Sequence, residues 1–370
     1  MENNHKANSS VSVMDPKAKK KVRILSLDGG GIRGVISAFV LKYAEEYLQE
    51  KAPGTSLSDH FDLIAGTSTG GILTGIYLAP ESEGSKRAKF SANDALKFYV
   101  DEGFNIFNKS QRSSWKRFWG LGNATSFDST YLRELLQDKL GDMHMSDLLK
   151  PCLIPTYNMN TKSSFFFISR EDRAKREFYV RDALISTASA PTYFPPVKIK
   201  NIAPSPCAEE MQLLNIDGGV FANNPLMCAY AEARSSCFEE RNNECPTAED
   251  MYILSIGTGG GVFDIPGISK SHKWSLLKWA KTVPEIMMDG SADTVTYQMN
   301  RVYGTLKPDA MGDFLRIDTP DQYRTYNPDM TDASEKNIDQ LLRAAEKTLV
   351  CAQKNGLDAF LDGLLDEEIV

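Results

Sequence analysis

At 370 residues, with 42% hydrophobic and 25% charged side chains, the chain has an ordinary globular composition and enough length for a large core. Its formal net charge of −7 argues against general nucleic-acid binding. Six cysteines without a C-x-x-C pair and four histidines without an H-x-x-x-H pair suggest neither a disulfide framework nor a zinc site, and no cofactor is expected.

Residues 1–20 are polar and run into Lys19-Lys20-Lys21, as a disordered tail would. With no apolar stretch before Lys17, no secretory signal is read. A reduced, cytoplasmic setting with peripheral contact at membranes is expected. Val22–Leu27 reads as a first strand, followed by Asp28-Gly29-Gly30-Gly31-Ile32-Arg33-Gly34. A helix comes next, with Ile36, Phe39, Val40, Tyr43 and Tyr47 at helical spacing. The apolar run Phe61–Ala65 then leads into Gly66-Thr67-Ser68-Thr69-Gly70. Leu63–Ala79 is uncharged, but it carries four glycines and falls short of the ~20 apolar residues of a spanning helix, so it reads as a buried strand, turn and helix. Further strands are expected at Cys152–Tyr157, Phe165–Ile168, Gln212–Ile216 and Tyr252–Ile256. Asn224-Pro225 reads as a helix start with Asn as N-cap, and Ser334–Leu349 as an amphipathic helix. Without repeats or an internal linker, the pattern predicts one α/β domain over residues 21–350, its mostly parallel sheet covered on both faces, and an extension at 351–370.

Two glycine turns carry the chemistry. Gly-x-Ser-x-Gly describes a serine on a strand-to-helix turn, exposed at a helix N-terminus, with flanking glycines because side chains there would collide. A bland Gly/Ser turn fits the same five residues. Gly29–Gly34 satisfies G-x-G-x-x-G between a strand and a helix, the dinucleotide fingerprint. The same N–H groups could instead form an oxyanion hole, or the segment could be only a tight turn. The serine turn one β-α unit later favours the oxyanion hole. Ser68 needs a base, and after it only His144 and His272 remain, neither well placed. Asp217, at the end of Leu213-Leu214-Asn215-Ile216 and before Gly218-Gly219, is the better candidate: at the C-terminal edge of a parallel sheet it could face the serine turn. The alternative is a turn-capping aspartate.

Asp28–Gly34, Gly66–Gly71, Ser189-Ala190-Pro191-Thr192-Tyr193-Phe194-Pro195-Pro196 and Asp217-Gly218-Gly219 together resemble the patatin family of lipid acyl hydrolases over roughly residues 20–350. Leu254–Gly259 is similar to its late strand motif, and Met330–Ser334 to the plant-type branch. The resemblance implies a three-layer α/β/α sandwich and a Ser/Asp dyad without histidine. Ser68 would then be the nucleophile and Asp217 the base, with Gly29, Gly30 and Gly31 as oxyanion hole. Gly66, Thr69, Gly70 and Gly218 would be supporting residues, and Arg33 the basic position of the glycine motif. It also implies a phospholipid or galactolipid ester as substrate, with a lapsed storage protein or a dinucleotide binder as alternatives. All four tryptophans fall in two basic segments without acidic residues, Trp115 and Trp119 in one, Trp274 and Trp279 in the other. Either they sit at a bilayer interface in transient membrane contact, or they pack inside while Lys and Arg face water.

Overall fold

The apolar runs become the inner strands of an eight-stranded sheet in the computed structural model, which describes residues 19–107, 127–260, 276–306 and 311–366. The strands are β1 (Val22–Leu27), β2 (Leu63–Gly66), β3 (Cys152–Asn158), β4 (Ser163–Ile168), β5 (Val197–Lys200), β6 (Gln212–Asp217), β9 (Met251–Ile256) and β10 (Phe314–Ile317). The two-residue strands β7 (Cys237–Phe238) and β8 (Asn243–Glu244) form a separate hairpin. Spatial order is β10-β9-β1-β2-β3-β6-β5, with β4 also paired to β3. The run from β10 to β3 is parallel, while β4, β5 and β6 add antiparallel pairs.

Alternation along the inner strands builds two cores. Leu25 and Leu27 of β1, with Leu254 and Ile256 of β9, face one side, where helices α1 (Gly34–Lys51), α2 (Thr69–Leu78), α3 (Ala92–Ile106), α4 (Thr130–Leu140) and α5 (Val180–Thr187) pack. Val22 and Ile24, with Met251 and Ile253, face the other. There α6 (Gly219–Ala222) is followed by α7 (Leu226–Arg234), which contributes Leu226, Ala229 and Ala233, and by α8 (Leu276–Tyr303), which contributes Met299 and Tyr303. The result is a three-layer α/β/α sandwich, its central strands buried on both faces as parallel sheets require. No helix of the described residues is long and apolar enough to cross a membrane.

Two expectations shift. Pro225, not Asn224, is the N-cap of α7: its carbonyl accepts from Ala229 N–H at 2.9 Å, while Asn224 Oδ1 reaches over it to accept from Leu226 N–H at 3.0 Å. The boundary at residue 350 falls inside α9 (Glu335–Lys354). The next helix, α10 (Leu357–Asp366), buries Leu357, Phe360, Leu361 and Leu364 in the main core and stacks Phe360 on Tyr252 of β9 at 4.2 Å. Those apolar positions recur at helical spacing, which draws residues 351–366 into the domain.

One edge of β3 positions the site. β4 occupies the other edge from Leu153 to Asn158. On the remaining edge β2 pairs in parallel at Cys152 and Leu153, and β6 pairs antiparallel at Thr156, Tyr157 and Asn158. β2 and β6 therefore run toward each other and stop with their C-terminal ends facing across Ile154 and Pro155. Asp217 thus arrives from the opposite direction to the one a parallel sheet edge predicts. Pro155 suits this gap, since it has no N–H to leave unpaired.

Candidate active site

β2 ends in the serine turn. Ser68 is the N-cap of α2 at φ 53°, ψ −118°, a conformation rare for a residue with a side chain, and it is buried. The flanking glycines are sterically required: a Cβ on Gly66 would lie 2.1 Å from the Gly70 carbonyl oxygen, and one on Gly70 would lie 2.2 Å from that of Leu27. Hydrogen bonds hold the turn. Thr67 N–H donates to Leu27 at 3.1 Å and its hydroxyl to the Ala222 carbonyl at 2.7 Å. Ser68 N–H donates to Thr187 Oγ1 at 3.0 Å, and that hydroxyl donates to the Pro155 carbonyl at 2.6 Å. Tyr99 Oη donates to the Thr69 carbonyl at 2.8 Å, fixing the first turn of α2.

β6 ends in Asp217, whose N–H donates to the Ser189 carbonyl at 2.9 Å. Gly218 follows because a Cβ there would lie 2.3 Å from Pro155 O. Asp217 Oδ1 accepts from Gly219 N–H at 2.6 Å, while the buried Oδ2 takes no closed hydrogen bond. Burial pushes this carboxyl up to about 7, against the smaller lowering effects of the Ser68 hydroxyl and the Gly219 N–H. A carboxylate so placed is a far better proton acceptor near neutrality than an exposed one.

The first glycine loop lies against the serine turn, with an added Cβ on Gly29 only 3.2 Å from Ser68 Cβ. Its glycines are not equivalent. Gly29 N–H donates to the Asn223 carbonyl at 2.9 Å. The Gly29 carbonyl accepts from Thr258 Oγ1 at 2.8 Å and Asn223 Nδ2 at 3.4 Å, and the Gly30 carbonyl from Arg33 Nε at 3.3 Å. Across a trans peptide the carbonyl and the following N–H point opposite ways. Pinning these two carbonyls therefore turns the N–H groups of Gly30 and Gly31 the other way, and neither has an acceptor among the described residues. Gly31 needs φ 59° to do this. Arg33 is buried and serves the loop's backbone. At the loop's start, Asp28 receives both guanidinium nitrogens of Arg316, at 2.9 and 2.6 Å, tying β1 to β10. Burial still raises the Asp28 carboxyl to about 6.

Thr187, Asn223, Thr258, Tyr99 and Arg316 were not singled out by sequence reasoning. Thr258 did carry a signal, standing within Gly257-Thr258-Gly259, and Asn223 four residues after the Asp-Gly-Gly turn. His144 caps the turn Met145–Asp147 and meets Tyr179 edge-on. His272, Trp115, Trp119 and Trp274 lie outside the described residues. Trp279 is on α8 and 40% exposed.

Beside Ser68 opens a pocket with about 500 Å³ of open space, walled mainly by apolar side chains, among them Ile72, Phe98, Ile106, Leu132, Phe194 and Met330. Together the parts can take a proton from a hydroxyl, offer N–H donors to a developing anion, and shelter an aliphatic group.

The family model "Patatin-like phospholipase" matches residues 25–230. Patatin-like protein 2 of Oryza sativa subsp. indica is 30% identical over 358 residues, covering 91% of this chain and 86% of the relative. Patatin-like protein 4 of Arabidopsis thaliana is 32% identical over 351 residues, covering 90% and 84%. Among solved structures, VipD from Legionella pneumophila aligns with a TM-score of 0.34 and 12% identity, over 89% of this chain and 67% of that one, too loosely to add to the argument.

Thr187→Val should leave Ser68 N–H and Pro155 O unpaired, each costing about 1–3 kcal/mol, and lower the melting temperature. Asp217 makes the stability of the protein depend on pH. Its carboxyl is raised in the fold from about 4, so its contribution is full below that value and is lost as pH climbs through about 7. Asp217→Asn should therefore melt higher than the parent, by an amount that grows between about pH 4 and pH 7 and then levels off. A pH-independent difference in calorimetry would contradict the shift.

Proposed function

Since this chain belongs to the patatin-like phospholipase family, we propose that it cleaves carboxylic esters of phospholipids or galactolipids, as a phospholipase A or non-specific acyl hydrolase, through Ser68 and Asp217. Family membership supports an ester hydrolase acting on lipid. The dyad rests on one observation: the buried carboxyl of Asp217, pushed up to about 7, stands where β6 ends against the Ser68 turn and feels its hydroxyl.

In this reading Asp217 accepts the Ser68 proton as Oγ attacks the ester carbonyl carbon. The N–H groups of Gly30 and Gly31, at the head of the short turn that leads into α1, receive the oxyanion; such donors are commonly worth about 3–4 kcal/mol each. Gly29 is left as a strut, its own N–H engaged by Asn223. The tetrahedral adduct collapses, the alcohol or lysolipid leaves with the proton held by Asp217, and the acyl group stays on Ser68. Asp217 then deprotonates a water that attacks the acyl-enzyme, returning the serine and releasing the fatty acid. No step calls for a histidine. The glycine loop serves this reading better than a dinucleotide, because Met330 closes its outer side: Ile32 N–H donates to the Met330 carbonyl at 2.9 Å.

The same reading includes a cytoplasmic location and transient contact with a membrane surface. Trp279, Val283, Ile286 and Met287 are exposed large apolar side chains at i, i+4, i+7 and i+8 of α8, one face of the helix. The helix also bears on the site. Met288 Cε lies 2.9 Å from where a Gly219 Cβ would be, and Glu285 Oε1 accepts from Tyr193, a wall of the pocket, at 2.8 Å. A lipid surface fits such a face, because four apolar side chains can enter it while the opposite face stays on the protein.

Ser68→Ala and Asp217→Asn should each lower kcat/KM for a soluble ester by roughly 10⁴-fold or more, and a fluorophosphonate should label Ser68 in the parent alone, read by peptide mass spectrometry. Substantial hydrolysis by either folded variant would refute the dyad. The parent's kcat/KM should rise with pH along a limb centred near 7, since the raised carboxyl must lose its proton first. With Ile286→Ser/Met287→Ser, the ratio of activity on anionic phospholipid vesicles to that on a soluble ester should drop about tenfold. An unchanged ratio would count against α8 as the docking face.

A further inference from the structure

The apolar pocket at Ser68 and a second cavity meet at the same buried side chain, Phe98. A groove with about 640 Å³ of open space lies between α2, α3 and the end of α4, lined by the apolar Ile76, Phe90 and Phe98 and by the charged Asp94, Lys97, Asp101, Glu102 and Lys139. Phe98 lines both spaces and, among the described residues, is the one they share. Helix α2 runs alongside. Ser68 caps it, Ile72 one turn on lines the serine pocket, and Ile76 a further turn on lines the groove. From Ser68 to Ile76 the helix rises about 12 Å.

The wall is held in place from the catalytic side. Phe98 is buried and meets Tyr99 edge-on, ring centroids 5.4 Å apart at 72°. Tyr99 is in turn bonded to the Thr69 carbonyl, beside the nucleophile. A group extending from Ser68 along α2 meets apolar surface as far as Ile72 and then the Phe98 ring. Beyond the ring, Ile76 and Phe90 offer further apolar surface among the charged side chains that line the groove.

We propose that Phe98 is the end wall that sets how long an acyl chain the enzyme accepts. The inference rests on Ser68 being the nucleophile, and it assigns the far end of the acyl chain to the Phe98 ring. Removing the ring joins pocket and groove into one passage, so chains too long for the parent gain a path past Ile76. The selection acts on the acyl chain, because the wall between Ser68 and the groove is built mainly from Ile72 and the Phe98 ring.

The test uses the full chain and p-nitrophenyl esters of butyrate, octanoate and palmitate in detergent micelles of fixed composition. Phe98→Ala should raise the palmitate-to-butyrate ratio of kcat/KM about tenfold or more, and Phe98→Leu should raise it less. Adding Ile76→Trp to Phe98→Ala should refill the passage and return the ratio toward the parent's. Because each ratio is read on one preparation, a lower folded fraction cancels. Should Phe98→Ala not fold, Phe98→Leu decides alone. An unchanged ratio in the folded variants, or a gain that Ile76→Trp does not reverse, overturns the assignment. Failure of the underlying reading looks different: the parent would hydrolyse none of the three esters, or Ser68→Ala would hydrolyse them all.

Discussion

Two strands that run head-on along one edge of β3 are the constraint on which the site depends. Where β2 and β6 stop, the backbone of Ile154 and Pro155 has no strand neighbour on that side. The groups left over must be satisfied by something else. Proline removes one donor, and Thr187 takes the remaining carbonyl while accepting from Ser68 N–H. The break in the sheet therefore orients the serine turn. It also places a glycine immediately after Asp217, since Gly218 lies against that same Pro155 carbonyl. A continuous parallel sheet would have no such gap and would bring the two strand ends to neighbouring positions on one rim.

What could be read from the sequence follows from the range of the interactions. The serine turn, the glycine loop and the inner strands are local patterns, and each appears where spacing and residue type place it. Asp217 was legible as a carboxylate ending an apolar strand at a glycine pair. Its direction of approach was not, because antiparallel pairing of β6 with β3 depends on register between segments some 60 residues apart, as the bond from Thr156 to the Ile216 carbonyl shows. Arg316 reaches Asp28 across 288 positions, and Thr258 reaches Gly29 across 229. Nothing local pairs such residues with their partners, even where, as at Thr258, the residue itself stands in a recognisable motif. The unequal roles of Gly29, Gly30 and Gly31 were likewise invisible, since they are set by which carbonyls distant side chains hold.

The site keeps several unfavourable features side by side. Ser68 occupies a rare backbone conformation, and Asp217 is a buried carboxyl with one oxygen unbonded. Asp28 needs a bidentate guanidinium to remain ionised against its own burial. Each costs stability. They are affordable only because central strands buried on both faces and helices on either side supply a large apolar core. In the proposed mechanism the same burial that destabilises Asp217 as an anion fits it to act as the base, so stability and reactivity would be set by one carboxyl from opposite directions.

The place of β1 in the sheet has a consequence for how the molecule is made. β1 sits between β2 and β9, and Val22 pairs with Met251, 229 positions later. At about 5–20 residues per second a ribosome needs on the order of 10–50 s to cover that distance. Through that interval the growing chain holds a strand destined to be buried along its whole length with one edge open, the state most prone to pair with another chain. Pairing of this range must wait for synthesis of the later strand, and the hazard during synthesis lies in a strand that ends up fully buried.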